Sequence, residues 1–375
     1  MSAAAGSTQR APRLLLITPD FPPGRGGIQA LMRGLLSGMT GMHSRVLTLD
    51  AGGGSDYDER HGVSVRRVRA PARLGPGRNV PLNAIALAEA ARFRPELTLS
   101  AHIVASPAAF MIARLTGAPY VQYFHANEIG GKPRLAAFAA RHAAASIAVS
   151  TYTAGLLARV GVPGDGVRLI PPGVDLPPAQ PQRQPSASHT ILTVARLNDS
   201  YKGHDVLLAA LPAIRARVPE VEWVVIGEGP LRVGLEAEAR AAGLAGCIRF
   251  LGAVSDTERD SWLDRADVFA MPSRLPGGGL AGEGFGIVFL EAGSHGIPVV
   301  AGNVGGAVDA VAAGQTGLLV DPTDERAVAD AIASLLLDPQ LARRMGAAAS
   351  ARAREYAWPV IAARVQSLLL ELLGR

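Results

Sequence analysis

The feature of this sequence that most constrains its fold is a regular alternation of short apolar runs with longer stretches of helical period. The short runs are rich in Val, Ile and Leu, and the stretches between them are rich in Ala, Leu and Arg. This alternation is typical of βαβ units, in which helices connect parallel strands. It stops near residue 171 and restarts near residue 190, so the sequence predicts two parallel α/β sheets.

The predicted strands follow this alternation along the chain. Before the interruption they are Arg13–Thr18, Ser44–Leu49, Val63–Val68, Leu97–Ala101, Tyr120–Phe124, Ser146–Val149 and Val167–Ile170. After the interruption they are Thr190–Ala195, Glu222–Ile226, Ile248–Leu251, Val268–Met271, Pro298–Ala301 and Gly317–Val320. Each set is large enough to form a doubly wound sheet of its own.

The interruption is rich in Pro, Gln and Ser, a composition that cannot pack a core. With 375 residues the chain is long enough for two ordinary domains. We predict an N-terminal Rossmann-like domain (1–178), a linker (179–189) and a C-terminal Rossmann-like domain (190–357). Because a proline restarts the helical pattern near its end, the last helix (358–375) is predicted to cross back to the first domain.

Composition excludes several classes of protein. No apolar run approaches the roughly 18 residues that span a bilayer, and Leu14–Ile17 is too short for the core of a signal peptide. Cys247 is the only cysteine, so we interpret it as a small core residue in a reducing compartment. The eight histidines lack zinc-type spacing. We expect a cytoplasmic protein without a bound metal.

Charge is distributed unevenly along the chain. Residues 1–189 contain 20 Lys and Arg against 10 Asp and Glu, whereas residues 190–375 contain 17 against 22. A basic half with a net charge of +10 can meet an anionic membrane or a phosphorylated substrate. Its arginines are scattered and no nucleic-acid motif accompanies them, so no nucleic-acid partner is expected. A merely solvated surface and a peripheral contact at the inner face of the plasma membrane both stay open.

Functional residues are expected in the loops after strands, because open α/β sheets bind ligands beyond the carboxyl ends of their strands. The strongest candidate is a glycine-rich loop with Glu283 that leads into a helix with Glu291. At about 1.5 Å of rise per residue, the two carboxylates are expected about 12 Å apart, which matches the span from a hexose through a diphosphate to a ribose. Glu283 is predicted to contact sugar hydroxyls and Glu291 a ribose diol.

The diphosphate itself is predicted to meet backbone amides and two cations. Arg196 directly follows a predicted strand, and Lys202 precedes the next helix. A planar guanidinium and a compact ammonium together suit a leaving diphosphate without a metal. The predicted backbone donors are those of Gly284, Phe285, Gly286 and Ile287.

The first loop of the chain is a weaker candidate. It contains Asp20, Gly26, Gly27 and Gln29, and the absence of Cβ at the glycines lets a phosphate approach the backbone of a helix N-terminus. A plain tight turn is the alternative. Asp56-Tyr57-Asp58 has the spacing of a metal-binding pair, but we interpret it as part of a flexible polar loop.

These residues together resemble the retaining GT-B glycosyltransferases of family 4. The elements that match are Gly26-Gly27-Ile28, His125, Arg196 with Lys202-Gly203, and the Glu283-to-Glu291 spacing. Within that family the chain looks most like the phosphatidylinositol mannoside mannosyltransferases of actinobacteria. The elements behind this finer resemblance are Phe21-Pro22-Pro23 and the triple glycine Gly277-Gly278-Gly279.

The resemblance implies a GT-B fold, with an interdomain cleft between two Rossmann-like domains, and sugar transfer with retention. It implies that His125 positions or polarises the sugar, beside Arg196, Lys202 and Glu283 as the other catalytic residues. The residues implied on the acceptor side are Asp20, Gln29, Asn127 and Glu128. Where the family often has His-Gly-x-Glu, this chain has Ala126 in place of the glycine.

The substrates implied by the resemblance are a nucleoside diphosphate sugar, with GDP-mannose preferred, and a glycolipid acceptor of the phosphatidylinositol mannoside type. No metal is expected to be required. One alternative is a UDP-sugar-dependent enzyme acting on a soluble polyol, aminocyclitol or natural product. A sugar-nucleotide 2-epimerase and a non-enzymatic sugar- or lipid-binding protein are further alternatives.

Overall fold

The computed structural model describes residues 10–374 except Ala51, 71–74, Pro76, 179–188 and 278–281. The predicted linker, apart from His189, and most of the predicted triple glycine lie outside the described residues.

The described chain divides into two compact units. The first contains the described residues up to Ala148, Leu157–Ile170 and the residues from Ile361 onward. The second contains Val149–Leu156 and Pro171–Val360, apart from the undescribed residues.

The first unit is built on a seven-stranded parallel sheet with the strand order β3-β2-β1-β4-β5-β6-β7. Its strands are β1 (Arg13–Ile17), β2 (His43–Leu49), β3 (Val65–Val68), β4 (Leu97–Ser100), β5 (Tyr120–Phe124), β6 (Ala145–Ala148) and β7 (Val167–Leu169). The helices of this part of the chain are α1 (Gly27–Gly38), α2 (Gly54–His61), α3 (Asn79–Phe93), α4 (Ser106–Thr116), α5 (Ala126–Gly131), α6 (Pro133–His142) and α7 (Thr151–Arg159).

The second unit is built on a six-stranded parallel sheet with the order β10-β9-β8-β11-β12-β13. Its strands are β8 (His189–Val194), β9 (Val221–Ile226), β10 (Ile248–Gly252), β11 (Val268–Met271), β12 (Val299–Gly302) and β13 (Gly317–Val320). The helices from here to the end of the chain are α8 (His204–Arg217), α9 (Leu231–Ala241), α10 (Asp256–Arg265), α11 (Ile287–Ser294), α12 (Ala307–Ala310), α13 (Glu325–Leu337), α14 (Pro339–Glu355) and α15 (Trp358–Glu371).

The two parallel sheets confirm the predicted α/β architecture, and every predicted strand is present with only small shifts of its ends. Cys247 is buried, as predicted. None of the described helices combines the length and the apolar character that a membrane span needs.

One local prediction was wrong. The segment around Asp56-Tyr57-Asp58 was expected to be a flexible loop, but it forms helix α2. The Asp58 carboxylate accepts two hydrogen bonds from Arg67, at 2.8 Å from Nε and 2.7 Å from Nη2. Arg67 also donates to the Pro22 carbonyl oxygen at 2.6 Å. Tertiary contacts therefore stabilise a helix whose own sequence is a poor helix former.

Side chains define the ends of the C-terminal helices. Asp324 caps α13 by accepting hydrogen bonds from the first amides of that helix, at 2.9 and 3.0 Å. Asp338 caps α14 in the same way, and Pro339 follows at a position where no amide hydrogen is needed. The chain can therefore turn sharply between two long helices without leaving buried donors unpaired.

A buried polar contact joins the three central strands of the second sheet. The Trp223 indole N–H on β9 donates to the Thr193 hydroxyl on β8 at 3.0 Å, and that hydroxyl donates to the Ala270 carbonyl on β11 at 2.6 Å. Trp223 and Ala270 are fully buried, and Thr193 is 1% exposed. The hydroxyl is thus the partner on which the largest buried side chain of this unit depends.

All three tryptophans of the chain belong to the second unit. Trp262 on α10 packs against two guanidinium groups, those of Arg249 at 5.1 Å and Arg265 at 4.2 Å from its ring centre. Trp358, at the start of α15, packs against Gly173 so closely that a Cβ at that glycine would overlap its ring. The three rings therefore lie in distinct surroundings within one unit.

Replacing Thr193 with Val is expected to reduce the free energy of unfolding of the second unit by about 1–3 kcal/mol, because the Trp223 indole loses its acceptor in a dry core. The measurement is guanidinium unfolding followed by tryptophan fluorescence. Thr193→Ser is the matched control, since it retains the hydroxyl and removes only a methyl group at a cost of about 1 kcal/mol. Equal losses in the two variants would contradict the role given to the hydroxyl.

Candidate functional site

Two predicted residues meet as an ion pair in the second unit. Lys202 lies in the short 3-10 turn Ser200–Lys202 after β8, and Glu283 lies in the loop before α11. The Lys202 Nζ is 2.5 Å from Glu283 Oε2, and both side chains are 14% exposed. Burial lowers the pKa of Lys202, but Glu283 and its acidic neighbours raise it by more, so the ammonium stays charged.

The loop with Lys202 is held against the loop after β11. Gly203 has a positive φ of 81°, and a Cβ at this position would overlap the Pro272 carbonyl, so only glycine permits the close approach. Arg274 in the second loop forms a two-pronged contact with Asp205, at 2.8 and 2.7 Å, and its amide donates to the Tyr201 carbonyl at 2.8 Å. These contacts fix the backbone on both sides of Lys202.

Helix α11 begins at Ile287, later than the sequence suggested. Gly286 precedes it with a φ of 86°, where a Cβ would overlap the Phe289 ring. Glu283 therefore lies in the loop before the helix, and the helical rise assumed between Glu283 and Glu291 does not apply to residues 283–286. The Gly306 amide donates to the Glu283 carbonyl at 2.8 Å and holds this loop in place.

The predicted amide donors Gly284 to Ile287 form this loop and the first residue of α11. The first amides of an α-helix lack partners within the helix, and its dipole favours an anion at that end. The glycine-rich backbone, the N-terminus of α11 and the Lys202 ammonium therefore lie close together. This is the chemistry that a diphosphate requires.

Glu291 is half-buried on α11. Burial raises the pKa of its carboxyl group, while the Arg259 guanidinium acts in the opposite direction and Asp175 adds to the increase. Arg259 on α10 also contacts the Asp260 carboxylate at 2.8 Å. An arginine is therefore the cation that compensates Glu291, a partner that the sequence did not reveal.

Arg196 lies two residues after the end of β8, one position later than predicted, and its side chain is exposed. Among the residues that the structure describes, it forms no ion pair, in contrast to Lys202. Its guanidinium therefore keeps its hydrogen-bond donors available to an anionic ligand.

The predicted acceptor residues cluster in the first unit, at the carboxyl ends of β1 and β5. Asp20 follows β1, and its carboxylate accepts a hydrogen bond of 3.4 Å from Gln29 on α1. The Gln29 side chain packs over Gly26, while Gly27 forms the first residue of α1. Asp20 also lies close enough to Glu128 to raise the pKa of its carboxyl group.

Glu128 on α5 connects two loops through its carboxyl group. Oε1 accepts a hydrogen bond from the His125 amide, and Oε2 accepts one from the Ile103 amide, both at 3.0 Å. The side chain is only 4% exposed. Burial raises the pKa of Glu128 to about 8, against the effect of those two amides. Asn127 beside it is exposed.

His125 directly follows β5 and precedes α5. Its ring stacks on Tyr123 with centres 5.7 Å apart, and its Nε2 lies 3.0 Å from the Ala101 carbonyl. Because a carbonyl only accepts, the ring proton is on Nε2. Burial lowers the pKa of His125 to about 4, so the imidazole is neutral near pH 7. The Tyr123 side chain is buried, and its hydroxyl donates a hydrogen bond to the Ile170 carbonyl at 2.8 Å.

Potential metal ligands are not grouped in the described part of the chain. No set of three or more His, Cys, Asp or Glu side chains within it has the arrangement of a metal site. Asp56 is exposed on α2, and Asp58 is paired with Arg67.

Two family models match consecutive parts of the chain. The model described as "Glycosyltransferase Family 4" matches residues 25–177, and the model described as "Glycosyl transferases group 1" matches residues 179–352. The two matched segments contain most of the described residues of both units, but not strand β1 or helix α15.

Curated relatives extend along nearly the whole chain. A GDP-mannose-dependent alpha-(1-6)-phosphatidylinositol monomannoside mannosyltransferase of Mycobacterium tuberculosis is 34% identical over 95% of this chain and 98% of its own length. A GDP-mannose-dependent monoacylated alpha-(1-6)-phosphatidylinositol monomannoside mannosyltransferase of Corynebacterium glutamicum is 30% identical over 95% and 97%.

Solved structures confirm the fold. HepE of Anabaena, in complex with UDP and glucose, aligns over 95% of this chain and 98% of its own, with a TM-score of 0.79 and 21% identity. Sucrose-phosphate synthase of Thermosynechococcus elongatus aligns over 97% and 99%, with a TM-score of 0.81 and 22% identity. The predicted GT-B architecture of two Rossmann-like domains is therefore confirmed.

Gly286→Ala is expected to lower the free energy of unfolding by about 1–3 kcal/mol, because it adds left-handed backbone strain and a clash with Phe289. The matched control is Gly234→Ala on the exposed face of α9, where a Cβ meets no other atom within 4 Å. That change is expected to be neutral or to stabilise by about 0.5–1 kcal/mol. Thermal melting of the two variants tests this difference, and equal melting temperatures would contradict it.

Proposed function

Because this chain belongs to glycosyltransferase family 4, we propose that it transfers mannose from GDP-mannose to a hydroxyl of a phosphatidylinositol mannoside-type glycolipid. The curated relatives named for this reaction support the choice of substrates, since they match the chain almost from end to end. The observation that carries the proposal is the partly buried Lys202–Glu283 ion pair beside the glycine-rich start of α11.

In this proposal the second unit binds the donor. The diphosphate is bound by Lys202, Arg196 and the backbone amides before α11. These groups also stabilise the negative charge that develops on the diphosphate as its bond to the sugar breaks. Glu283 orients hydroxyls of the transferred mannose, and Lys202 keeps its carboxylate in place. Glu291 accepts hydrogen bonds from the ribose diol, for which a half-buried carboxylate is well suited.

Transfer proceeds with retention of the anomeric configuration. The incoming hydroxyl attacks from the face that the diphosphate leaves, and a leaving-phosphate oxygen takes its proton. The bond to the acceptor oxygen forms as the bond to the phosphate oxygen breaks, so no enzyme carboxylate has to act as nucleophile. The cationic side chains contribute most where the leaving group carries most charge.

The first unit binds the acceptor. The polar groups near the carboxyl ends of β1 and β5 are those of Asp20, Gln29 and Asn127. The neutral His125 ring, which follows β5, positions the sugar. Glu128 contributes mainly by holding the backbone of two loops, because its oxygen atoms already accept hydrogen bonds from the chain itself.

The positive charge at the diphosphate comes from the protein, so the proposed reaction needs no divalent ion. Transfer is expected to continue in EDTA. Loss of transfer in EDTA that magnesium or manganese restores would contradict this part of the proposal.

Two experiments on the donor side test the assignment. GDP is expected to raise the melting temperature more than UDP or ADP, because a ligand at about 100 times its dissociation constant adds about 2.7 kcal/mol. A larger shift with UDP would favour the UDP-sugar alternative, which the UDP-bound HepE structure keeps open.

The second experiment measures the release of GDP from GDP-mannose with and without the glycolipid. Release only in the presence of the glycolipid is expected of a transferase and not of a 2-epimerase.

Variants separate the proposed roles. Lys202→Ala is expected to lower kcat by about 100-fold, since its charge matters most in the transition state. Glu291→Ala is expected to raise the donor KM by about 10-fold, because the ribose loses its acceptor. Glu238→Ala, on the exposed face of α9, is the matched control. Full turnover in Lys202→Ala, or an unchanged donor KM in Glu291→Ala, would remove the respective role.

The first unit also has features that suit a membrane-borne acceptor. Its half of the sequence has the net charge of +10, and helices α3 and α4 expose large apolar side chains. These are Val80 at 68%, Met111 at 42% and Leu115 at 70% exposure. Basic side chains near an anionic surface contribute about 1 kcal/mol each. We include a peripheral contact with anionic lipid in the proposal.

Vesicle co-sedimentation tests this contact. We expect binding to vesicles with phosphatidylinositol and little binding to phosphatidylcholine vesicles, with the difference reduced at high salt because charges are screened. Leu115→Ser is expected to weaken binding, whereas Val233→Ser, at a 74% exposed site in the second unit, is the matched control. Equal binding to both lipids, or none at low salt, would exclude the contact and favour a soluble acceptor.

A further inference from the structure

Two arginines occupy inward-facing positions near the amino ends of β2 and β3 in the first sheet. Successive side chains of a strand point to opposite faces, so Arg45 shares a face with Leu47 and Leu49. Arg66, which pairs with Leu47, shares that face with Val68. The three apolar residues pack in the core beneath α3. The same two rows thus end in guanidinium groups, at the edge opposite to the predicted acceptor residues.

Glu89 on α3 is the acidic partner of both arginines. Its Oε1 accepts a hydrogen bond from Arg45 Nη1 at 2.8 Å, and its Oε2 accepts one from Arg66 Nη1 at 2.7 Å. Only 3% of the Glu89 side chain is exposed. Burial raises the pKa of Glu89, but the hydrogen bonds and charges of the two arginines lower it by more, so the group is ionised at neutral pH. A buried carboxylate therefore holds two guanidinium groups in fixed positions.

Both guanidinium groups keep hydrogen-bond donors that Glu89 does not use. Arg45 also donates from Nε to the Ser64 hydroxyl at 3.2 Å, and its guanidinium lies 4.9 Å from the Phe93 ring centre. Its Nη2, together with the Nε and Nη2 of Arg66, forms no hydrogen bond to a described residue. The side chains of Arg45 and Arg66 are 35% and 38% exposed, so a ligand can reach them.

A cavity of about 300 Å³ lies at these arginines. It is lined by Arg45, Ser64, Val65, Arg66, Glu89 and Arg92. Arg92 lies three positions after Glu89 on α3, hence on the same side of the helix, and it forms no ion pair with a described residue. Three guanidinium groups therefore surround one carboxylate. The two surplus positive charges repel each other, and an anion in the cavity would reduce that repulsion.

We propose that this cavity binds a phosphomonoester group, at a site separate from the predicted acceptor residues. A phosphomonoester carries about 1.5 to 2 negative charges at neutral pH, which matches the surplus charge of the cavity. A guanidinium group presents paired N–H donors to phosphate oxygen atoms, and Arg66 retains two nitrogens for such a contact. The group can belong to a soluble polyol phosphate or to the head group of an anionic lipid. The inference goes beyond the proposed sugar transfer and does not depend on it.

Calorimetry with glycerol 3-phosphate and the full-length chain tests the site. Arg92→Gln is expected to weaken binding by about 10-fold, the loss typical of one charge-assisted hydrogen bond, while Glu89 keeps both of its partners. The matched control is Arg141→Gln, which removes the same charge from an exposed position on α6 and is expected to bind like the wild type. Equal affinities in the two variants, or no binding to the wild type, would overturn the proposal.

Arginine side-chain NMR locates the ligand without relying on a loss of affinity. The Nε–H signal of Arg66 is assigned with Arg66→Lys, which keeps a positive charge beside Glu89. Glycerol 3-phosphate is expected to shift this signal in the wild type. Acetate at the same ionic strength is expected to shift it much less, because acetate carries a single charge. An Arg66 signal that does not move at concentrations that saturate the calorimetric titration would contradict the assigned site.

Vesicle co-sedimentation distinguishes the two sources of the phosphate. Phosphatidic acid presents the same glycerol phosphate on a membrane, so the probes are phosphatidylcholine vesicles with and without phosphatidic acid. If a lipid is the source, phosphatidic acid recruits the wild type and Arg141→Gln more strongly than Arg92→Gln. If the source is soluble, the two variants sediment alike, while calorimetry still separates them. Loss of the Arg92 charge without effect in either measurement would rule out the phosphate site.

Discussion

Parallel strand pairing is the constraint on which the rest of this structure depends. A parallel pair needs a crossover connection, so the carboxyl ends of neighbouring strands open into loops at one edge of the sheet. In the first unit this edge brings together Asp20, His102 and His125, which follow three adjacent strands. In the second unit it brings Lys202 against the loop with Arg274. Residues far apart in sequence become neighbours because the sheets are parallel.

Glu283 in the second unit and Glu128 in the first unit are partly buried carboxyl groups with opposite electrostatic surroundings. In the second unit Glu283 forms an ion pair with the Lys202 ammonium, beside a region suited to a diphosphate. In the first unit burial raises the pKa of Glu128 by more than Lys132 and two backbone amides lower it, so this carboxyl group is held neutral. A charged ligand requires fixed countercharges, whereas a hydroxyl-bearing ligand requires neutral groups with defined donors and acceptors. The difference between the two carboxyl groups thus matches the chemistry proposed for each unit.

The sequence predicted the strands well because buried parallel strands form short continuous apolar runs between helices. Lys202 and Glu283, which glycine-rich loops after strands singled out in the sequence, meet as an ion pair in the structure, while their roles stay predictions. Arg274 and Arg259 were missed because their contacts depend on partners brought close by folding, such as Asp205, 69 positions from Arg274. Likewise, helix α2 is stabilised by the Asp58–Arg67 contact, and α11 starts late because Gly286 has a left-handed backbone, where a side chain would overlap the Phe289 ring. Neither local propensity nor spacing contains that information.

The confinement of all three tryptophans to one unit has a practical consequence for spectroscopy. Trp223 lies in a dry core and should emit at short wavelength, whereas the guanidinium groups around Trp262 give that ring a polar, charged environment. The first unit contains no tryptophan at all, so indole emission reports only on the half of the molecule with Lys202 and Glu283. The intact chain therefore has built-in optical reporters in one unit, and Trp358 alone among them lies on a helix that continues into the other unit.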